Sequence, residues 1–123
     1  MDELFKLDAF EEWVQEQRDE VFIGRAGNPR MCPLARYLTQ RTGIDFTVAR
    51  GVCWESSLMD EEGYERFESW HMPRWAYWFE VWVDGGFGVG IWVPRGETLY
   101  ALSMLRQGKV YNAFTRLWVE QEA

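Results

Sequence analysis

A thiol immediately ahead of a helix-opening proline is the sharpest chemical feature of the chain. In Met31-Cys32-Pro33-Leu34-Ala35-Arg36-Tyr37-Leu38, Pro33 suits the first turn of a helix, where its missing N–H is not needed. Cys32 then stands at the positive end of the helix dipole, a position that lowers a thiol's pKa and makes it reactive. A cysteine nucleophile also needs a base. His71 is the one histidine of the chain, distant in sequence and beside bulky aromatics, so Cys32 is expected to be structural. Cys32 and Cys53 lack the paired spacing of a zinc site or a C-x-x-C redox pair. The expectation is two buried free thiols, no metal and no cofactor. The first residues, MDELFKLDAF, are acidic and have neither a positive n-region nor an apolar h-region, which points to a cytoplasmic protein without a disulfide.

Carboxylates are the next candidates. The segment from Ser56 to Ser69 carries Asp60, Glu61, Glu62, Glu65 and Glu68. Paired acids can hold a cation or move protons. The alternating acids, central glycine and terminal Glu of a calcium loop are missing, so a solvated acidic face is expected. The whole chain has 13 basic and 20 acidic residues and a net charge of −7. That balance argues against direct contact with a phosphate backbone and suits a partner protein with a basic surface. Arg25 and Arg30 lie in the glycine-rich loop Gly24–Arg30, where no Gly-Lys-Ser/Thr follows to make a phosphate loop; they read as solvated loop charges.

Aromatic rings make a third constellation. Between Trp70 and Trp92 lie five of the eight tryptophans. Trp70, His71, Trp75 and Tyr77, with Glu68 or Glu80 as the polar group, have the composition of an aromatic cage or a stacking platform. Tryptophan and tyrosine also supply the anchors of protein interfaces.

These groups must be positioned by the elements around them. Read as a helix opened by Pro73, Trp75, Trp78, Phe79, Trp82 and Val83 form a stripe at offsets 0, 3, 4, 7 and 8. Read as a strand, Trp75–Val83 feeds Asp84-Gly85, a strong hairpin signal, and Phe87–Val93 returns. The helix is favoured, because Pro73 marks a start and Gly85-Gly86 a stop. Upstream, Asp8 and Glu11 resemble a helix cap, and Leu7, Phe10, Trp13 and Val14 share one face. Val21–Ile23 either extends that helix or begins a strand. The helix after Cys32 places Leu34, Tyr37, Leu38 and Arg41 on one face and closes at Gly43. Ile44–Trp54 alternates as a strand, with Phe87–Val93 as its expected antiparallel partner. A further helix opens near Glu97 or Thr98 and stops at Gly108, and a last one places Val110, Ala113, Phe114, Leu117 and Trp118 on one stripe. The expected fold is therefore α+β, a mainly helical single domain over residues 1–123 of about four to five helices with a small antiparallel sheet. No run is apolar enough to cross a membrane.

Two motifs together carry a resemblance. The N-P-R-x-C-P-L-A-R-Y-L piece at Asn28–Leu38 and the P-R-W-A-x-x-F-x-x-W-V-D piece at Pro73–Asp84 resemble small uncharacterised bacterial and phage proteins with a Cys-Pro helix and a Pro-initiated aromatic helix ending in Asp. The resemblance covers about a quarter of the chain. It supports the helical reading of Trp75–Val83, raises a mobile-element origin, and brings no activity with it. The expected function is a non-enzymatic acidic interaction module, an inhibitor that docks on the basic, nucleic-acid-binding surface of a host protein. Asp60, Glu61, Glu62, Glu65, Glu68, Trp70, His71 and Trp75 are its candidate binding residues. The alternative is a small-molecule binder or enzyme with an aromatic pocket around Trp70–Trp82.

Overall fold

The computed structural model describes residues 1–56 and 69–121. Helix α1 (Leu7–Glu16) buries Phe10, Trp13 and Val14, three of the four residues on its predicted apolar face. Strand β1 (Phe22–Arg25) follows, which settles Val21–Ile23 as the approach to a strand. Helix α2 (Pro33–Thr42) has Pro33 in its first turn and ends on Gly43 in the left-handed conformation, φ 75°, whose N–H donates to the Thr39 carbonyl. It buries Leu34, Ala35, Tyr37 and Leu38.

Ile44–Trp54 is two strands rather than one. Strands β2 (Phe46–Ala49) and β3 (Val52–Glu55) pair from Ala49↔Val52 to Phe46↔Glu55, joined by the two-residue turn Arg50-Gly51. Both turn residues have positive φ, 31° and 84°, as a type I′ hairpin demands. Strand β4 (Ser69–His71) completes this sheet against β3. Trp75–Val83 is helical, as favoured. Helix α3 (Arg74–Gly86) follows Pro73 and buries Ala76, Phe79, Glu80, Trp82 and Val83.

The expected pairing of Ile44–Trp54 with Phe87–Val93 does not occur. The returning strand β5 (Trp92–Pro94) lies on β1 instead, with Gly24↔Val93 and Arg25↔Trp92 in register. Helix α4 (Arg95–Arg106) begins directly after β5. Arg95 donates from Nε to the Val14 carbonyl at 2.9 Å and from Nη2 to the Gln15 carbonyl at 3.0 Å, adding donors to the carbonyls of the last turn of α1. At the other end of α4, Arg106 pairs with Asp8 at 2.7 Å and Glu11 at 2.9 Å.

The last predicted helix is a hairpin, β6 (Lys109–Asn112) and β7 (Leu117–Glu120). The Asn112 Oδ1 accepts from the N–H groups of Phe114 and Thr115 at 2.9 and 3.1 Å, which is the local bonding that makes Asn a turn former. Tyr111 and Trp118 pair across the strands at 5.2 Å, and Phe114 is fully exposed at the tip. The fold is thus α+β, but with four helices and three small antiparallel sheets among the described residues, not mainly helical with a single sheet.

The core lies where α1, α2 and α3 meet. Phe10 is its hub, with ring centroids of Trp13, Tyr37, Trp75 and Phe79 at 5.9, 5.2, 5.7 and 5.1 Å. Buried aromatic polar atoms find partners: Trp13 Nε1 donates to Gln40 at 2.8 Å, Tyr37 Oη to the Leu4 carbonyl at 2.6 Å, and Trp75 Nε1 to the Phe5 carbonyl at 2.9 Å. Strand β1 crosses the start of α2 so closely that a Cβ on Gly24 would stand 2.5 Å from the Pro33 nitrogen. Among the described residues no helix is long and apolar enough to cross a membrane.

Candidate functional site

Helix α3 carries one carboxylate on its buried face. Glu80 lies one turn after Ala76 and three residues before Val83, within the apolar stripe, and only 7% of it is exposed. Its Oε2 accepts the Arg50 backbone N–H at 2.8 Å. Its Oε1 is buried and has no hydrogen-bond partner among the described residues. Such a group is costly, because a carboxylate taken out of water and left half-bonded loses solvation that nothing replaces.

Glu80 stands at the wall of a cavity of about 370 Å³ between the 27–34 segment, the end of β2 and α3. Pro29, Pro33, Leu34, Val48, Phe79 and Val83 give it apolar sides, and Asn28, Arg50 and Asp84 bring polar groups. The 27–34 wall is held in place locally. Asn28 Oδ1 accepts from the N–H groups of Arg30 and Met31, the Cys32 N–H donates to the Asn28 carbonyl at 2.8 Å, and the Val48 N–H donates to the Pro29 carbonyl at 2.8 Å. The opposite wall is braced by the turn. Arg50 holds a left-handed φ of 31°, a conformation that costs a side-chain-bearing residue about 1–2 kcal/mol. Its N–H is the one that Glu80 receives, and the Gly51 carbonyl accepts the Met72 N–H at 2.7 Å.

The electrostatics follow from burial. Desolvation pushes the Glu80 carboxyl up from 4.5 to about 7. The Arg50 N–H and the Arg50 charge pull it down, and Asp84, one turn further along α3, pushes it up. Cys32 is 8% exposed, and its thiol is pushed up to about 12, first by burial and then by the Glu80 carboxylate; the Ala35 and Leu34 backbone N–H groups act the other way and are outweighed. The helix-dipole activation conceivable from the sequence is therefore reversed. Cys53, on β3, is raised to about 12 by the same two causes in the same order. Both cysteines are free and buried, as expected. Among the described residues no three His, Cys, Asp or Glu side chains stand together as a metal site would require.

The residues singled out from sequence are placed apart. Asp60, Glu61, Glu62, Glu65 and Glu68 lie outside the described residues. His71 and Trp75 come together in a shallow groove with Asp8 and Arg106. Trp75 is half-buried there, its ring against Phe10 and its N–H given to Phe5. Trp70 packs on Phe46 with ring centroids 5.8 Å apart, and Tyr77 meets Trp78 edge-on at 5.2 Å. Glu80, one of the two polar partners considered for an aromatic pocket, lines a cavity whose aromatic wall is Phe79; the other, Glu68, lies outside the described residues. Sequence reasoning gave Asn28, Cys32 and Arg50 no shared role. The available signal was Glu80 itself, a lone charge at i+4 from Ala76 and i−3 from Val83 on a helical apolar face.

No known protein family, curated protein or solved structure matches this chain. The chemistry of the cavity is therefore the ground for a functional reading.

Proposed function

We propose that this protein is a recognition module whose receptor site is the cavity at Glu80, filled by a small molecule or by a side chain projecting from a partner. The observation that carries the reading is a cavity with largely apolar walls and one buried carboxylate, Glu80, in its lining, whose 370 Å³ falls in the range of small-ligand pockets, about 300–1,000 Å³. A purely architectural role for Glu80 accounts for Oε2, which holds the strained Arg50 turn. It gives no reason to retain the second oxygen, because an apolar or amide side chain fills such a place at lower desolvation cost.

This reading keeps the binding class expected from the sequence and moves its centre. A basic partner remains the counterpart that suits a net charge of −7, since the summed field of an acidic protein draws cations toward it. The test is a screen of cationic, neutral and anionic fragments by protein-observed NMR, repeated on Ala49→Trp. Ala49 is exposed at the cavity rim on β2, where a large ring blocks entry and a strand tolerates it. Fragments that shift the Leu34, Arg50 and Val83 amides in the parent and not in Ala49→Trp support the reading. An absence of such fragments, or shifts that survive the blocking ring, overturns it.

A further inference from the structure

We infer that the hollow between the end of α3, helix α4 and the β6–β7 hairpin is a second binding site, one that takes a neutral saccharide, whose hydroxyl oxygens accept from Trp82 and Tyr111 while its C–H face lies on the aromatic rings around them. The hollow measures about 540 Å³, within the range of small-ligand sites, about 300–1,000 Å³. Trp82, Phe87, Tyr100, Tyr111 and Trp118 line it. Phe87 and Trp118 stand 5.2 and 6.4 Å from Trp82, and Tyr111 stands 5.2 Å from Trp118, between ring centroids. Trp82 and Tyr111 are only 7% and 6% exposed. Trp13, Tyr37 and Trp75 give their polar hydrogens to the chain, but Trp82 Nε1 and Tyr111 Oη have no hydrogen-bond partner among the described residues. Neither atom is sealed off, since among those residues the one unpartnered side-chain polar atom without solvent access is Glu80 Oε1. Both face the space that Gly86 leaves by having no side chain: a Cβ there would stand 3.5 Å from Tyr111 Oη and 3.7 Å from Trp82 Nε1. Gly86 is half-buried and lines the hollow, so that space opens onto it.

The lining narrows the ligand class. The Trp82 indole only donates, and the Tyr111 hydroxyl donates and accepts, so the ligand must bring oxygen acceptors. A bare apolar ligand over the two would desolvate them and leave them unpaired. Glu97 in the first turn of α4, Lys109 on β6 and Arg116 in the hairpin turn bring charges of both signs. A cation would meet Lys109 and Arg116; an anion would meet Glu97 and the negative end of the α3 dipole at Gly86. A neutral hydroxylated ligand suits all of these groups, because each hydroxyl both donates and accepts. It takes hydrogen bonds from Trp82, Lys109 and Arg116 and gives one to Glu97. Its apolar face has a counterpart too, since the π face of an aromatic ring is the negative part of its quadrupole and attracts the polarised C–H bonds of a pyranose. Tyr100 and Leu117 keep exposed apolar surface at the hollow for that contact. The site is separate from the Glu80 cavity: α3 brings Phe79, Glu80 and Val83 to that cavity and Trp82 and Gly86 to this one.

The full chain is titrated with cellobiose, maltose, lactose and N,N′-diacetylchitobiose, with glucosamine, glucuronate and cyclohexanol as cationic, anionic and apolar counterparts, followed through the indole N–H resonances of Trp82 and Trp118 and the Gly86 amide. At least one disaccharide is expected to move these resonances saturably. Tyr111→Phe, which keeps the ring, is expected to weaken that binding about two- to ten-fold, the range of one neutral hydrogen bond, with circular dichroism and resonance dispersion unchanged. Gly86→Ala is the second variant. Its methyl lies at ordinary contact distance from both polar atoms, Gly86 has no left-handed φ, and alanine is the better helix former, so the fold is kept while the space is filled. Binding is expected to fall about ten-fold or more as both hydrogen bonds are blocked. Ala49→Trp, which closes the Glu80 cavity, is expected to leave it unchanged. Silence of all four disaccharides overturns the site. Glucosamine, glucuronate or cyclohexanol binding there more tightly than every disaccharide overturns the saccharide class, and disaccharide binding that neither Tyr111→Phe nor Gly86→Ala weakens, or that Ala49→Trp abolishes, overturns its placement.

Discussion

Glu80→Gln is expected to change how stability depends on pH more than it changes stability itself. In the folded chain the carboxyl titrates near 7, against 4.5 when exposed. Between those values the native state binds more protons than the unfolded state, so unfolding free energy falls as pH rises. The contribution of Glu80 is intact below about pH 4.5 and is lost as pH passes through about 7. A shift from 4.5 to about 7 at 1.36 kcal/mol per pH unit corresponds to about 3 kcal/mol. Glutamine keeps the acceptor for the Arg50 N–H and cannot ionise. Its amide N–H, placed where Oε1 was, adds a pH-independent cost of about 1–3 kcal/mol if it finds no acceptor. The assay is urea unfolding of both proteins at intervals from pH 4 to pH 8.5, taking the difference at each pH so that titration of the surface acids cancels. The parent is expected to lose about 3 kcal/mol relative to the variant across that range. Parallel curves would show that Glu80 is solvated in the native state, and the reasoning would fail. A parent that gains stability with pH would show the Glu80 carboxylate paired with a cation, Arg50 being the candidate because its charge already acts on Glu80.

Two further outcomes follow from the same geometry. Gly24→Ala is expected to destabilise the protein by about 1–3 kcal/mol, as overpacking does, because the added methyl meets Pro33 backbone and ring atoms at 2.5–2.7 Å; a melting temperature within a degree of the parent would contradict the close passage of β1 over α2. Cys32 and Cys53, both buried and raised to about 12, are expected to be inert to a disulfide reagent at pH 8 and to react at once in denaturant, and prompt labelling of either in the native protein would count against the burial that also raises Glu80.

The helices could be read from the chain because their information is local. Pro33 and Gly43 bound α2, Pro73 opens α3, and the 3.6-residue spacing of Phe10, Trp13 and Val14 marks the face that α1 buries. Net charge and the absence of metal or phosphate-loop spacing were equally legible, since they depend on composition and order alone. Strand pairing was not. Val93 aligns with Gly24 because tertiary packing brings two distant segments together, and nothing local distinguishes that partner from Ile44–Trp54. The 110–118 segment satisfies a helical stripe on paper, yet Asn112 bonds its side chain to the amides of Phe114 and Thr115. A local side-chain turn there wins over periodicity, and Phe114 ends in solvent. The site needed tertiary structure most. The sequence places Glu80 on an apolar helical face, but only the packing of the β2–β3 turn and the 27–34 segment around it decides that one oxygen is bonded, the other is buried alone, and a cavity stands beside them. Ionisation energy depends on the surrounding dielectric and dipoles, and those are set by residues far away in the chain.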